Sequence, residues 1–148
     1  MSRQIVVVVV GVLIIASLVP ISYLAAPRWE VWVVREDSKP LSGISVRLVY
    51  QNYPAEREGH EITLTTDEQG RVLFPAQLQK ASVAQRIAYA LASPKNSARV
   101  SYGRRAFVFA FSSKLGGDAT SDKDLPNWAG SPASMKSTIV AKRFGMEW

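Results

Sequence analysis

One histidine and no cysteine stand among 148 residues, and that inventory narrows the available chemistry at once. Thiolate nucleophiles, disulfides and cysteine-rich or histidine-rich metal sites are excluded. His60, in EREGHEI, is the one candidate general base. A hydrolase centred on it would need a nucleophile and an orienting acid that the sequence does not mark, and no GxSxG motif occurs. The plainer alternative is an exposed histidine at a loop end. Asp118, Asp122 and Asp124 lie together in GGDATSDKD and could offer oxygen ligands to calcium. Their spacing is not that of an EF-hand and no closing glutamate follows, so the stretch reads as a solvated loop. The expectation is therefore no catalytic residue, no cofactor and no metal.

The stronger signal is electrostatic. The formal net charge is +6, and between Glu68 and Asp118 there is no acidic residue, while Arg71, Lys80, Arg86, Lys95, Arg99, Arg104, Arg105 and Lys114 are all basic. A surface of this sign suits anionic lipid headgroups, at about 1 kcal/mol per basic residue close to a membrane. It equally suits a polyanionic envelope polymer or an acidic protein partner. Nucleic acid is disfavoured, because no recognised binding motif accompanies the charge and the alternating Phe107, Phe109 and Phe111 read as core rather than as a base-stacking platform. Arg99, Arg104 and Arg105 are the basic candidates for partner or headgroup binding. Trp128, in PNWAG within a polar loop, is the candidate for stacking on a sugar. The bland alternative is a solubilising charge that strand alternation spreads over several faces.

Elements must position these residues, and the first is apolar. Residues 5–26, IVVVVVGVLIIASLVPISYLAA, carry no charge over roughly the twenty positions that span a bilayer core. The run is longer than the core of a cleavable export signal and has no polar face, which favours an uncleaved transmembrane helix. Arg3 on one side and Arg28, Arg35 and Lys39 on the other slightly favour a cytoplasmic globular part by basic-residue counting, which does not settle the orientation. The short basic opening before the apolar core favours a globular part outside the cytoplasmic membrane. The predicted division is an anchor over residues 1–26 and one domain over residues 27–148.

In the second part the hydrophobic period becomes two. Trp29, Val31 and Val33 alternate with Glu30, Trp32 and Val34; Ile44, Val46, Leu48 and Tyr50 with Ser45, Arg47 and Val49; Ile62 and Leu64 with Thr63 and Thr65. These are half-buried strands. In DEQG an aspartate can bond to backbone two residues on, and Gly70 can take the positive φ that closes a turn. Residues 79–92 switch to helical spacing, with Val83, Ile87 and Leu91 four apart, a Ser82 and Gln85 capping box, and Ser93-Pro94 as the stop. Residues 104–111 are apolar on both faces, Phe107, Phe109 and Phe111 against Ala106, Val108 and Ala110, and belong in the middle of a sandwich. Residues 112–134 read as a long loop and residues 136–144 as a closing strand.

The predicted fold is mainly β: an antiparallel transthyretin-like or immunoglobulin-like sandwich of about seven strands with one short inserted helix, behind the N-terminal transmembrane helix. Two stretches go further. KPLSGISVRLVY (39–50) and TTDEQGRVLFP (65–75) resemble the carboxypeptidase regulatory-like domains, whose pattern runs G-x-P-[LI]-x-G-[AV]-x-[VI]-x-[LV] and then T-[TD]-x-x-G-x-[FV]-x-[FI]. Pro40, Leu41, Gly43, Ile44, Val46 and Leu48 fit the first half; Thr66, Asp67, Gly70, Val72 and Phe74 fit the second. Ser38 stands where the pattern has its first glycine. The resemblance implies a transthyretin-like sandwich and covers neither the helix nor the long loop. Hydroxyisourate hydrolases of that shape carry several histidines and a terminal YRGS, whereas this chain has one histidine and ends in GMEW. The isopeptide bond of some adhesin sandwiches is likewise disfavoured for Lys39 and Asn127, since Asn127 lies in the polar loop. The function expected is a membrane-anchored, non-enzymatic module with a structural or interaction role at the cell envelope. Its rivals are a carbohydrate- or peptidoglycan-binding module using Trp128 and a hydrolase centred on His60.

Overall fold

A computed structural model describes residues 2–53, 56, 58–92, 103–112, 117–118 and 125–141. Among these, the apolar run does not form one span. Helix α1 (Arg3–Leu18) ends because Val19 precedes Pro20 and is held extended, at φ −68° and ψ 123°, the conformation that the proline ring imposes on its predecessor. Residues beyond the proline become strand β1 (Ile21–Ala26), whose last two alanines are fully buried in the core. At a rise of 1.5 Å per residue α1 is about 24 Å long, short of the ~30 Å hydrocarbon core. No helix among the described residues is long and apolar enough to cross a membrane, which corrects the expectation of a span across residues 5–26.

The fold is mainly β, as the alternation predicts, with ten strands and two helices among the described residues. Strand β2 (Arg28–Arg35) lies between β5 (Arg71–Phe74) and β10 (Ser134–Ala141) in one sheet. The second sheet runs β4 (His60–Thr65), β3 (Ser45–Tyr53), β7 (Gly103–Ser112), β8 (Gly117–Asp118), with β9 (Asn127–Trp128) also paired to β7. A separate ribbon joins β1 to β6 (Gln77–Ala81) in antiparallel register, Ile21 opposite Ala81. One pairing departs from the expected antiparallel plan: β10 runs parallel to β2, Ser134 beside Arg28 through Ala141 beside Arg35. The expected closing strand thus begins two residues earlier, and residues 142–144 lie outside the described residues.

Between the two sheets Trp29, Val31 and Val33 meet Val46, Leu48 and Tyr50, with Val72, Phe74 and Ile139 completing the core. Trp29 is fully buried, and its indole N–H donates to Ser137 Oγ at 2.9 Å, so the largest core side chain leaves no polar atom unsatisfied. The β7 alternation is real, but only one of its two apolar faces is buried, and it is not the phenylalanine face that was expected in the core. Ala106, Val108 and Ala110 are buried, while Phe107, Phe109 and Phe111 stand half-buried on the outer face. With Trp29 and Phe74 inside from the other sheet and Leu48 and Trp128 beside these positions in the same sheet, a close-packed interior has room only for small residues there.

Gly70 closes the turn before β5 at φ +71°, where an added Cβ would lie 2.6 Å from the Val33 carbonyl oxygen. Asp67 Oδ1 accepts from the backbone N–H groups of Gln69 and Arg71 at 3.0 and 2.8 Å. Helix α2 (Val83–Ala92) is shorter than expected, because residues 77–81 are claimed by β6. Its predicted cap is present: the Gln85 N–H donates to Ser82 Oγ at 3.1 Å. Its apolar stripe does not cover a sheet, since Val83, Ile87 and Leu91 are 44, 55 and 78% exposed.

Candidate functional site

The basic residues between Glu68 and Asp118 take separate places. Arg71 is paired with Glu30 at 2.6 Å on the small sheet, where Lys136 lies 3.6 Å from the same carboxylate. Arg105 is exposed opposite Gln51, and Lys80 is exposed on the ribbon. Arg99 lies outside the described residues, as do Lys95 and Lys114. Arg104 and Arg86 instead converge on one cleft of about 610 Å³, lined also by Ile21, Ser22, Tyr23, Asn52, Tyr53 and Gly103.

Four elements build that cleft. Strand β1 supplies its floor from the first residues after α1. The far ends of β3 and β7 are paired there, Asn52 with Arg104 and Tyr53 with Gly103, so the Asn52 and Arg104 side chains share a face. The first turns of α2 bring Arg86 over the Tyr23 ring, at 5.1 Å from its centroid. The Arg104 guanidinium is held from two sides: Nη1 donates to the Leu24 carbonyl at 3.2 Å, and the group lies 5.7 Å from the centre of the Trp128 ring. Arg86 Nε is buried and has no hydrogen-bond partner, an unusual state for a charged donor.

Behind the cleft sits an acid. The Tyr23 hydroxyl donates to Glu56 Oε1, and the other carboxylate oxygen accepts the Asn52 N–H at 3.2 Å. His60 Nε2 lies 3.5 Å from that same oxygen and its ring stacks on Tyr50 at 5.1 Å. Burial and the carboxylate beside it push the Tyr23 phenol up to about 12. Tyr23 is therefore a neutral donor at any physiological pH, and Glu56 is engaged by it and by the Asn52 N–H.

The sugar-stacking role expected of Trp128 is overturned. The ring is 2% exposed, its indole N–H donates to the Pro132 carbonyl at 2.6 Å, and it belongs to the core cluster. The sequence reading sees a polar loop around it; a two-residue strand, β9, carries it under Arg104 instead. Arg104 and Trp128 are thus brought together, but as support and supported. Lys39 is paired with Asp37 at 3.2 Å, and Asn127 sits exposed in β9 opposite Phe107. Asp122 and Asp124 lie outside the described residues, among which no cluster of acidic and histidine side chains could hold a metal ion.

The outer face of β7 is the other unexpected surface. Phe107, Phe109 and Phe111 stack along it at 6.2 and 5.9 Å, and Arg47 lies 5.1 Å from the Phe111 ring while pairing with Glu61 at 3.1 Å. The chain matches no protein-family model and no curated protein. Sequence reasoning counted Arg86 in the basic run without singling it out, and missed Tyr23 and Asn52. Arg86 was visible as a cation three residues from Val83 on a helix, but its partner Tyr23 is brought to it only by the β1–β6 pairing.

Proposed function

We propose that the chain is a membrane-attached, non-enzymatic β-sandwich that serves an interaction role at the cell envelope, with α1 embedded in the bilayer. A single observation carries this reading: no residue of α1 is buried, and its valines, leucines and isoleucines are 42–68% exposed on every side. Such a helix in water would forfeit about 1.5–3 kcal/mol per apolar side chain, and no polar face offsets that cost. The one hydroxyl in its last turn, Ser17, already donates to the Ile14 carbonyl at 2.7 Å, the arrangement that suits a serine in lipid. The exposed stripe of α2, which lies against α1, extends the apolar surface in the manner of an interfacial helix. The sandwich is placed on the extracytoplasmic side, following the short basic opening before α1.

The resemblance to carboxypeptidase regulatory-like domains is supported at two of its glycine positions, Gly43 and Gly70, which both have φ +71°. It is supported more pointedly at Ser38, which stands for the missing glycine and adopts φ +63°. Interaction is assigned to the outer face of β7 and the cleft, the two surfaces where aromatic and basic side chains are combined. The test is extraction. The full chain is expected to stay with membranes through high salt and alkaline washing. Val8→Glu with Leu13→Glu, each costing about 2.5–3.5 kcal/mol in a bilayer, is expected to release it. Wild-type protein recovered in the wash would end the reading.

A further inference from the structure

Resting on that membrane attachment, we propose that the cleft between β1, α2 and the ends of β3 and β7 binds the phosphate of an anionic lipid headgroup. Its lining includes two guanidinium groups, Arg86 and Arg104, with Ser22, Asn52 and Tyr53 as hydroxyl and amide partners, and no acidic side chain among the described residues. Guanidinium is the side chain best matched to phosphate, through its planar fork of donors. Arg104 is oriented in advance by the Leu24 carbonyl and the Trp128 ring, and Arg86 is oriented by the Tyr23 ring. Neither arginine forms an ion pair among the described residues. The nearby carboxylate, Glu56, is occupied by the Tyr23 hydroxyl, the Asn52 N–H and His60, so it does not neutralise the pair directly.

Position decides which phosphate this is. Ile21, which lines the cleft, is three residues beyond Leu18, a reach of at most about 10 Å, so the cleft opens where headgroups lie when α1 is in the bilayer. Arg86 belongs to α2, whose Val83, Ile87 and Leu91 are the exposed apolar stripe. An apolar stripe facing acyl chains beside a guanidinium pair facing the phosphate layer is the arrangement of a headgroup site.

The experiment is a comparison of partition coefficients for the full chain between phosphatidylcholine vesicles and the same vesicles containing phosphatidylglycerol. Wild type is expected to bind the anionic vesicles about tenfold more tightly, the worth of one hydrogen bond to a charged group. Arg86→Gln is expected to remove most of that gain. Arg86→Lys should retain part of it, and Asn52→Asp, which puts a carboxylate into the lining, should abolish it. Lys80→Gln deletes the same charge from an exposed site on β6 and is expected to keep the gain. An equal loss in Lys80→Gln and Arg86→Gln would show a diffuse basic surface and overturn the proposal. Saturable binding of inorganic phosphate without vesicles, lost in Arg86→Gln, together with no lipid preference, would assign the cleft to free phosphate and overturn it too. Good binding to neutral vesicles with no anionic preference sinks the cleft assignment alone, whereas no binding to either vesicle sinks the membrane attachment beneath it.

Discussion

Single residues carry the sharpest consequences of this fold. Ser38 holds a left-handed conformation, φ +63°, which costs a side chain about 1–2 kcal/mol. Ser38→Gly is therefore expected to raise stability by roughly 0.5–1 kcal/mol after the extra entropy of glycine is subtracted, measured by urea unfolding. Gly70→Ala should act in the opposite sense. Its Cβ would press on the Val33 oxygen and lie 2.9 Å from the Leu41 nitrogen, neither of which can yield, and a loss of about 2–3 kcal/mol is expected. Tyr23 supplies a pH dependence. Its phenol is held at about 12 against an ordinary 10.0, so the neutral form is favoured by folding. The contribution is complete below pH 10 and is lost as pH rises through 12. The stability gap between wild type and Tyr23→Phe should accordingly close across that interval. Trp128→Ala tests whether the ring is support or contact: a stability loss of about 3–5 kcal/mol is expected from a buried indole, and a fully stable variant would contradict its place in the core.

At the scale of elements, the decisive event is at Pro20, which divides one apolar run into a helix and a strand. Strand β1 is part of the sandwich: it pairs with β6 from Ile21 to Ala26, and Ala25 and Ala26 are wholly buried. A fragment beginning at Ile21 is expected to unfold cooperatively, whereas one beginning at Pro27 leaves β6 unpaired and opens a gap beside Trp29. Thermal melts of the two fragments, followed by near-ultraviolet dichroism, separate these outcomes. Helix α2 shows a related division. Its cap and its period were legible because both are local: Ser82, Gln85 and the fourfold spacing of Val83, Ile87 and Leu91 lie within ten residues of one another. What those apolar residues face was not legible, because periodicity records that a face exists and says nothing of what covers it.

For the molecule as a whole, the same distinction separates what the chain declares from what folding decides. Alternation in β2, β3 and β5, the turn residues Gly43 and Gly70, the capping of α2 and the concentration of positive charge are properties of neighbours in sequence, and they determined the mainly-β class and most of the core. Strand β7 marks the limit. Both of its faces are apolar, so its alternation predicts two faces without saying which is inward, and the choice fell to Ala106, Val108 and Ala110 because the bulk of Trp29 in the other sheet and of Trp128 beside them already fills the space. The parallel pairing of β10 with β2, the burial of Trp128 and the meeting of Arg86 with Tyr23 and Arg104 all join residues distant in the chain. Local propensity carries no information about such partners. Only the packing of two sheets and a ribbon against one another brings two arginines to the foot of an apolar helix.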